Sequence, residues 1–147
     1  LSSPGKEWFA PNPRFFLMIE GSQIDWAAHA NDTERDVRQI LLFDMAVHQA
    51  IEFAKRDGHT LVIVTADHET GGLKLESDST KKGGIEVTWT TKSHTAVNVP
   101  IFAYGPGSDK FVGTIDNTDV PKCIAELTGI TEFPAVKTDI TQEATAR

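Results

Sequence analysis

The sequence predicts an α/β fold, a three-layer α/β/α sandwich on a mostly parallel sheet, and three observations point there. Residues 15–19 (Phe15, Phe16, Leu17, Met18, Ile19) and residues 60–65 are continuous apolar or β-branched runs. Runs of this kind mark strands buried on both faces. A long stretch at helical spacing separates them, and a third apolar run covers residues 99–104. Strand, helix, strand is a βαβ unit, which implies parallel strands and a right-handed crossover.

The elements follow in order within one domain of 147 residues. Pro4, Gly5, Pro11 and Pro13 make residues 1–14 an irregular lead-in. The first strand ends at Glu20 and Gly21, and Asp25 and His29 are expected in the loop beyond it. Asn31, Asp32 and Thr33 offer helix caps, with Glu34 and Asp36 in the first turn, where the helix dipole favours acids. Val37, Ile40, Leu41, Val47, Ile51 and Ala54 then recur at helical spacing to about Arg56, and Gly58 terminates the helix. After the second strand, residues 77–84 are polar and turn-rich. Ile85, Val87 and Trp89 alternate with Glu86, Thr88 and Thr90, which predicts a half-exposed strand in a hairpin with Leu73, Lys74 and Leu75. Gly105, Pro106 and Gly107 close the third strand. Thr118 or Asp119 caps a last helix through Leu127, with Pro121 tolerated in its first turn. Cys123 is expected to pack there beside Ile124 and Leu127. Residues 131–147 are weakly patterned.

Composition narrows the function. The apolar share of 39% and the charged share of 24% are those of an ordinary globular chain. A net charge of −7 argues against nucleic acid, which is met by basic faces. It does not argue against an anionic substrate, because bound cations reverse the local field. No apolar run approaches the roughly 18 residues of a membrane span. Cys123 is the lone cysteine, which excludes an internal disulfide. No signal-peptide core stands in residues 1–14, so any export signal is expected upstream, or removed.

The polar residues carry the chemistry by where they fall. Glu20 sits at the end of the first strand, with Asp25 and His29 beyond it, and Asp67 and His68 sit just past the second. Ligands of open α/β sheets bind outside the carboxyl ends of the strands, so both clusters belong on one edge. His94 precedes the third strand and folds back to the same edge in this reading. Carboxylates and imidazoles brought together repel and desolvate one another unless a cation lies between them. Zinc accepts both donor types and magnesium prefers the oxygens. A two-metal site suits phosphoryl chemistry. Each residue also has a plainer role when taken alone: Asp25 and His29 as a helical surface pair, Asp67 and His68 as a cap, His94 as a solvated loop residue.

Residues 15–29, with Glu20, Gly21, Ile24, Asp25 and His29 as fixed points, closely resemble the alkaline phosphatase segment FLMVEG-x-x-ID-x-x-x-H. Thr65, Ala66, Asp67, His68, Thr70, Gly71 and Gly72 resemble that family's TADHxTGG loop, and Ser93, His94 and Thr95 its last metal-ligand region. The resemblance runs from about Asn12 to Leu127 with every block in order. It implies a C-terminal part of an alkaline-phosphatase-like domain and two zinc ions, the first held by Asp25, His29 and His94 and the second by Asp67 and His68. It also implies one magnesium on Glu20. Trp26 stands where the family varies between Lys, His and Trp. It is either a substrate-side residue near magnesium and phosphate or an aromatic packed over the loop. For the whole enzyme the resemblance implies phosphate monoesters as substrates, a phosphoserine intermediate, a homodimer, and a periplasmic or extracellular location.

The resemblance also implies that the phosphate-accepting Ser lies upstream. Nothing in residues 1–14 resembles the family's Asp-Ser-Ala motif, so no catalytic nucleophile is assigned here, and this chain alone is expected to be inactive. The interval from His68 to His94 leaves little room for the crown-like insertion of some relatives. Alternatives are another hydrolase or mutase of the superfamily (phosphodiesterase, sulfatase) and a non-catalytic metal-binding domain. Glu20 and the Thr70-Gly71-Gly72 tail favour the phosphatase.

Overall fold

The structure, a computed structural model, describes residues 15–76 and 86–134. The lead-in, the turn-rich stretch 77–84, Ile85 and residues 135–147 lie outside them. The described elements are α1 (Gln23–Ala30), α2 (Thr33–Asp57), β1 (Val62–Thr65), β2 (Glu69–Thr70), β3 (Lys74–Leu75), β4 (Val87–Thr88), β5 (His94–Thr95), β6 (Ile101–Tyr104) and α3 (Asp119–Thr128). A 3-10 turn at Ser108–Phe111 lies between the last two.

The long helix forms where its caps predict. The Asp32 carboxylate accepts the Arg35 N–H at 3.1 Å, satisfying one of the open N-terminal donors. Gly58, left-handed at φ 71°, closes the other end through an N–H bond to the Ala54 carbonyl. The stretch carrying Asp25 and His29, expected as a loop, is instead helix α1, and it meets α2 through a tight joint. Asn31 takes φ 56°, a conformation Asn tolerates better than other residues with a Cβ. Ala27 and Ala28 are buried in α1, which packs against α2, and Arg35 donates to Gln23 Oε1 at 2.7 Å across the pair.

The parallel sheet expected from the βαβ pattern is not found among the described residues. β1 pairs antiparallel with β6, from Val62 opposite Tyr104 to Thr65 opposite Ile101. β2 pairs antiparallel with β5, and β3 with β4, the last being the hairpin the alternation predicts. Residues 15–19, expected as an inner strand, stand outside any ladder. Their apolar side chains are 59–82% exposed, although Phe15 packs edge-on to Phe53 of α2. Apolar continuity says that both faces of a segment favour cover, but it does not choose the neighbour. Here the ladder of β1 is taken by a chain returning in the opposite sense.

Burial is concentrated at a few small side chains. Among the described residues the shielded apolar ones are Ala27, Ala28, Ala54, Ala125 and Phe111. Cys123 is half-buried in α3. Asp36 is the exception: only 4% exposed, with no hydrogen-bond partner for Oδ1. Burial pushes its carboxyl above the ordinary value of 3.8. The charged form is therefore disfavoured by the fold, at a cost present above the raised value and absent below the ordinary one. The first-turn position returns at most about 1 kcal/mol, against about 1–3 kcal/mol for an unmet buried acceptor. Asp36→Asn is expected to raise the melting temperature at neutral pH by about 2–4 °C, roughly 1 kcal/mol at this size. That gain should vanish in scans taken below the ordinary carboxylate range, and an equal shift at both pH values would sink the account.

Candidate metal centre

Three elements deliver the site. Asp25 and His29 stand one turn apart on the same face of α1, as i and i+4 positions do. His94 comes from β5, which the ladder with β2 brings alongside. Asp25, His29 and His94 are, among the described residues, the one group of three metal-ligating side chains that converges. Nε2 of His29 lies 3.1 Å from Nε2 of His94. Asp25 Oδ1 lies 3.4 Å from the first and 3.5 Å from the second.

That triangle has the dimensions of one face of a tetrahedral zinc site. Donors at about 2.0–2.1 Å from such an ion stand about 3.3 Å apart. Two imidazole nitrogens and a carboxylate oxygen are also the donor types zinc accepts, so the residues present fit the group. The orientation is supported from behind. His29 Nδ1 is 2.6 Å from the Lys92 carbonyl, which only accepts, so the proton sits on Nδ1 and Nε2 turns its lone pair to the cluster.

Asp67 and His68 lie beside the triangle, just past the carboxyl end of β1. The His68 ring stacks on His94 with centroids 3.5 Å apart. His68 Nε2 is 3.3 Å from Asp67 Oδ2. Thr70 joins the two groups, because its hydroxyl donates to Asp25 Oδ1 at 2.6 Å and its oxygen lies 3.2 Å from His68 Nδ1. With that hydrogen spent on Asp25, the oxygen accepts from His68 Nδ1–H. Glu20 is exposed just past residues 15–19, Trp26 is exposed on α1, and neither joins the converging group. The triangle itself stands partly open, its side chains 33%, 38% and 49% exposed for Asp25, His29 and His94.

Residue type and spacing do not reveal the Lys92 carbonyl or Glu69, nor the role of Thr70, which the sequence marks only as part of the resembling loop. Thr70 and Lys92 act on residues 45 and 63 positions away. Glu69 accepts from the N–H groups of Gly72 and Leu73 and from the Thr95 hydroxyl. Gly71 is required as glycine: at φ 89°, a Cβ there would meet the Trp89 ring at 2.5 Å. Its N–H reaches the Ser93 carbonyl at 3.0 Å, which draws the strand of His94 toward the loop of His68.

The alkaline phosphatase family model matches residues 10–83 and 73–130. Alkaline phosphatase 4 of Bacillus subtilis (strain 168) is 35% identical over 180 aligned positions, covering 77% of this chain and 39% of that protein. The aligned span exceeds the 147 residues here, so that relative holds residues within it that this chain lacks. The alkaline phosphatase of the Antarctic bacterium TAB5 superposes with a TM-score of 0.69 at 43% identity, over 75% of this chain and 34% of that one. A variant of the TAB5 enzyme with Mg bound in its M3 site gives 0.67 at 43%, over 74% and 34%. The chain thus spans about two fifths, or less, of the length of these relatives.

Proposed function

This chain belongs to the alkaline phosphatase family, and from that premise we propose that it supplies the metal cradle of a phosphate monoester hydrolase. The observation that carries the reading is the triangle of Asp25, His29 and His94, sized for one tetrahedral cation. In this reading these three hold the first zinc, Asp67 and His68 a second, and Glu20 a magnesium. When bound, the ions supply charge neutralisation at the transferring phosphoryl group and polarise its oxygens. The chain's own residues fix the donors. Lys92 holds the proton of His29 on Nδ1, and Thr70 directs Asp25 and His68 together. Trp26, exposed on α1 one residue after Asp25, is placed toward the substrate.

The nucleophile, a serine, is assigned to the remainder of the whole protein. So are the further strands that would complete a three-layer α/β/α sandwich with residues 15–19 inside it. The homodimer and a periplasmic or extracellular location belong to the same reading. The test is a matched assay with zinc and magnesium in excess, using these 147 residues, the longer protein, and the two parts mixed. The expected result is bound zinc but negligible aryl phosphate turnover by the chain alone, with activity in the longer protein and on mixing. Robust turnover by the chain alone would place a nucleophile within it and overturn the assignment. Bound zinc with no activity in any preparation would make it a metal-binding module instead.

A further inference from the structure

We propose that Glu69 is a positioning residue that sets the register of the β2–β5 ribbon and so delivers His94 and Thr70 to Asp25 and His29. The inference rests on the reading of the triangle as a cation site, and it deepens that reading.

The ribbon is only two residues long on each strand, with Glu69 opposite Thr95 and Thr70 opposite His94. So short a ladder is a weak specifier of its own register. Yet a slip of one residue would turn His94 to the far face, because side chains alternate with period two. Paired residues share a face. Thr70 and His94 therefore stand on the face of α1, where Thr70 donates to Asp25 and His94 meets His29. Glu69 and Thr95 stand on the other face, and there the Glu69 carboxylate is fully engaged. Oε2 accepts from the Thr95 hydroxyl directly across the ladder. Oε1 accepts the Gly72 N–H at 2.8 Å and the Leu73 N–H at 3.4 Å, which fixes the turn after the strand. One half-buried side chain thus ties strand to strand and strand to turn. Both of its oxygens point away from the triangle, so Glu69 acts through His94 and Thr70 and touches no cation.

The experiment uses the whole chain with Glu69→Ala, Glu69→Gln and Thr95→Val. Zinc affinity is read by competition with a chromophoric chelator, and coordination by the visible absorption of the cobalt-loaded protein. Glu69→Ala is expected to weaken zinc binding by about 10–100-fold, the range for loss of a group that orients a ligand, and to dim the tetrahedral cobalt bands. Glu69→Gln is expected to recover both, because its amide oxygen still accepts from Gly72 and its NH2 donates to the Thr95 hydroxyl, which rotates to accept. Thr95→Val should follow Glu69→Ala in direction, and it keeps the test decisive if the alanine variant fails to fold. A metal-free readout separates this inference from the cation reading: the nuclear Overhauser contact between the His29 and His94 rings. Loss of that contact in Glu69→Ala and its return in Glu69→Gln would support the clamp even if the wild-type chain took up no zinc. An unchanged contact in both Glu69→Ala and Thr95→Val would overturn the clamp whatever the metal result.

Discussion

Replacing Asp25 with Ala is expected to weaken zinc binding by at least about 100-fold, the upper end of what losing only a ligand's supporting hydrogen bond costs. Asp25 Oδ1 is common to both halves of the site, 3.4 Å and 3.5 Å from the two imidazole nitrogens and 2.6 Å from the Thr70 hydroxyl. Its removal deletes the one anionic donor of the triangle and leaves the Thr70 hydroxyl without its acceptor. The loosened Thr70 then no longer directs His68. Asp25→Asn separates the two losses, since its amide oxygen still accepts from Thr70 while the negative charge is gone, so its affinity should fall between wild type and Asp25→Ala. Chelator competition on the three proteins checks the order. Equal affinity for wild type and Asp25→Ala would remove Asp25 from the ligand set.

The second large effect concerns stability. Phe111 is 3% exposed at the end of the 3-10 turn, where the Lys110 ammonium is 2.8 Å from Glu126 of α3. The other shielded apolar side chains among the described residues are alanines. Truncating this one large shielded ring removes its buried apolar surface and leaves a cavity. Phe111→Ala is expected to cost about 3–5 kcal/mol, a large share of the roughly 5–15 kcal/mol that holds a domain folded. Val112→Ala, one residue on and 70% exposed, should stay within about 0.5 kcal/mol of wild type. Urea midpoints of the two variants give the comparison, and similar midpoints would mean that Phe111 is not the anchor of this region.

Local signals were the readable part of the chain. The caps at Asp32 and Gly58 and the apolar spacing between them announced α2 almost to the residue. The alternation around Val87 announced the hairpin of β3 and β4. Helix α1 is less legible: it is only eight residues long, and the sequence offers it solely as the plainer reading of Asp25 and His29 as a helical pair. Strand pairing is not legible for a different reason. Residues 15–19 and 60–65 are both apolar enough for an inner strand, but the choice of partner is a long-range matter that no window of sequence contains. The site divides in the same way. Asp25, His29 and His94 stood out by type, place and resemblance. Their supports do so less: Thr70 stands in the resembling loop without a visible role, and Glu69 and the Lys92 carbonyl are ordinary groups whose importance exists only after the chain has folded.

The openness of the triangle bears on rates as well as on affinity. Asp25, His29 and His94 are a third to a half exposed in this chain, so an ion held there as proposed would reach its donors without any backbone opening. Loading and loss are then governed by exchange of the ion's own ligands, and no local unfolding event, which ranges from microseconds to seconds, need come first. On the proposed reading, occupancy in these 147 residues is therefore expected to follow the free cation concentration at each moment, with no memory of the conditions under which the chain folded.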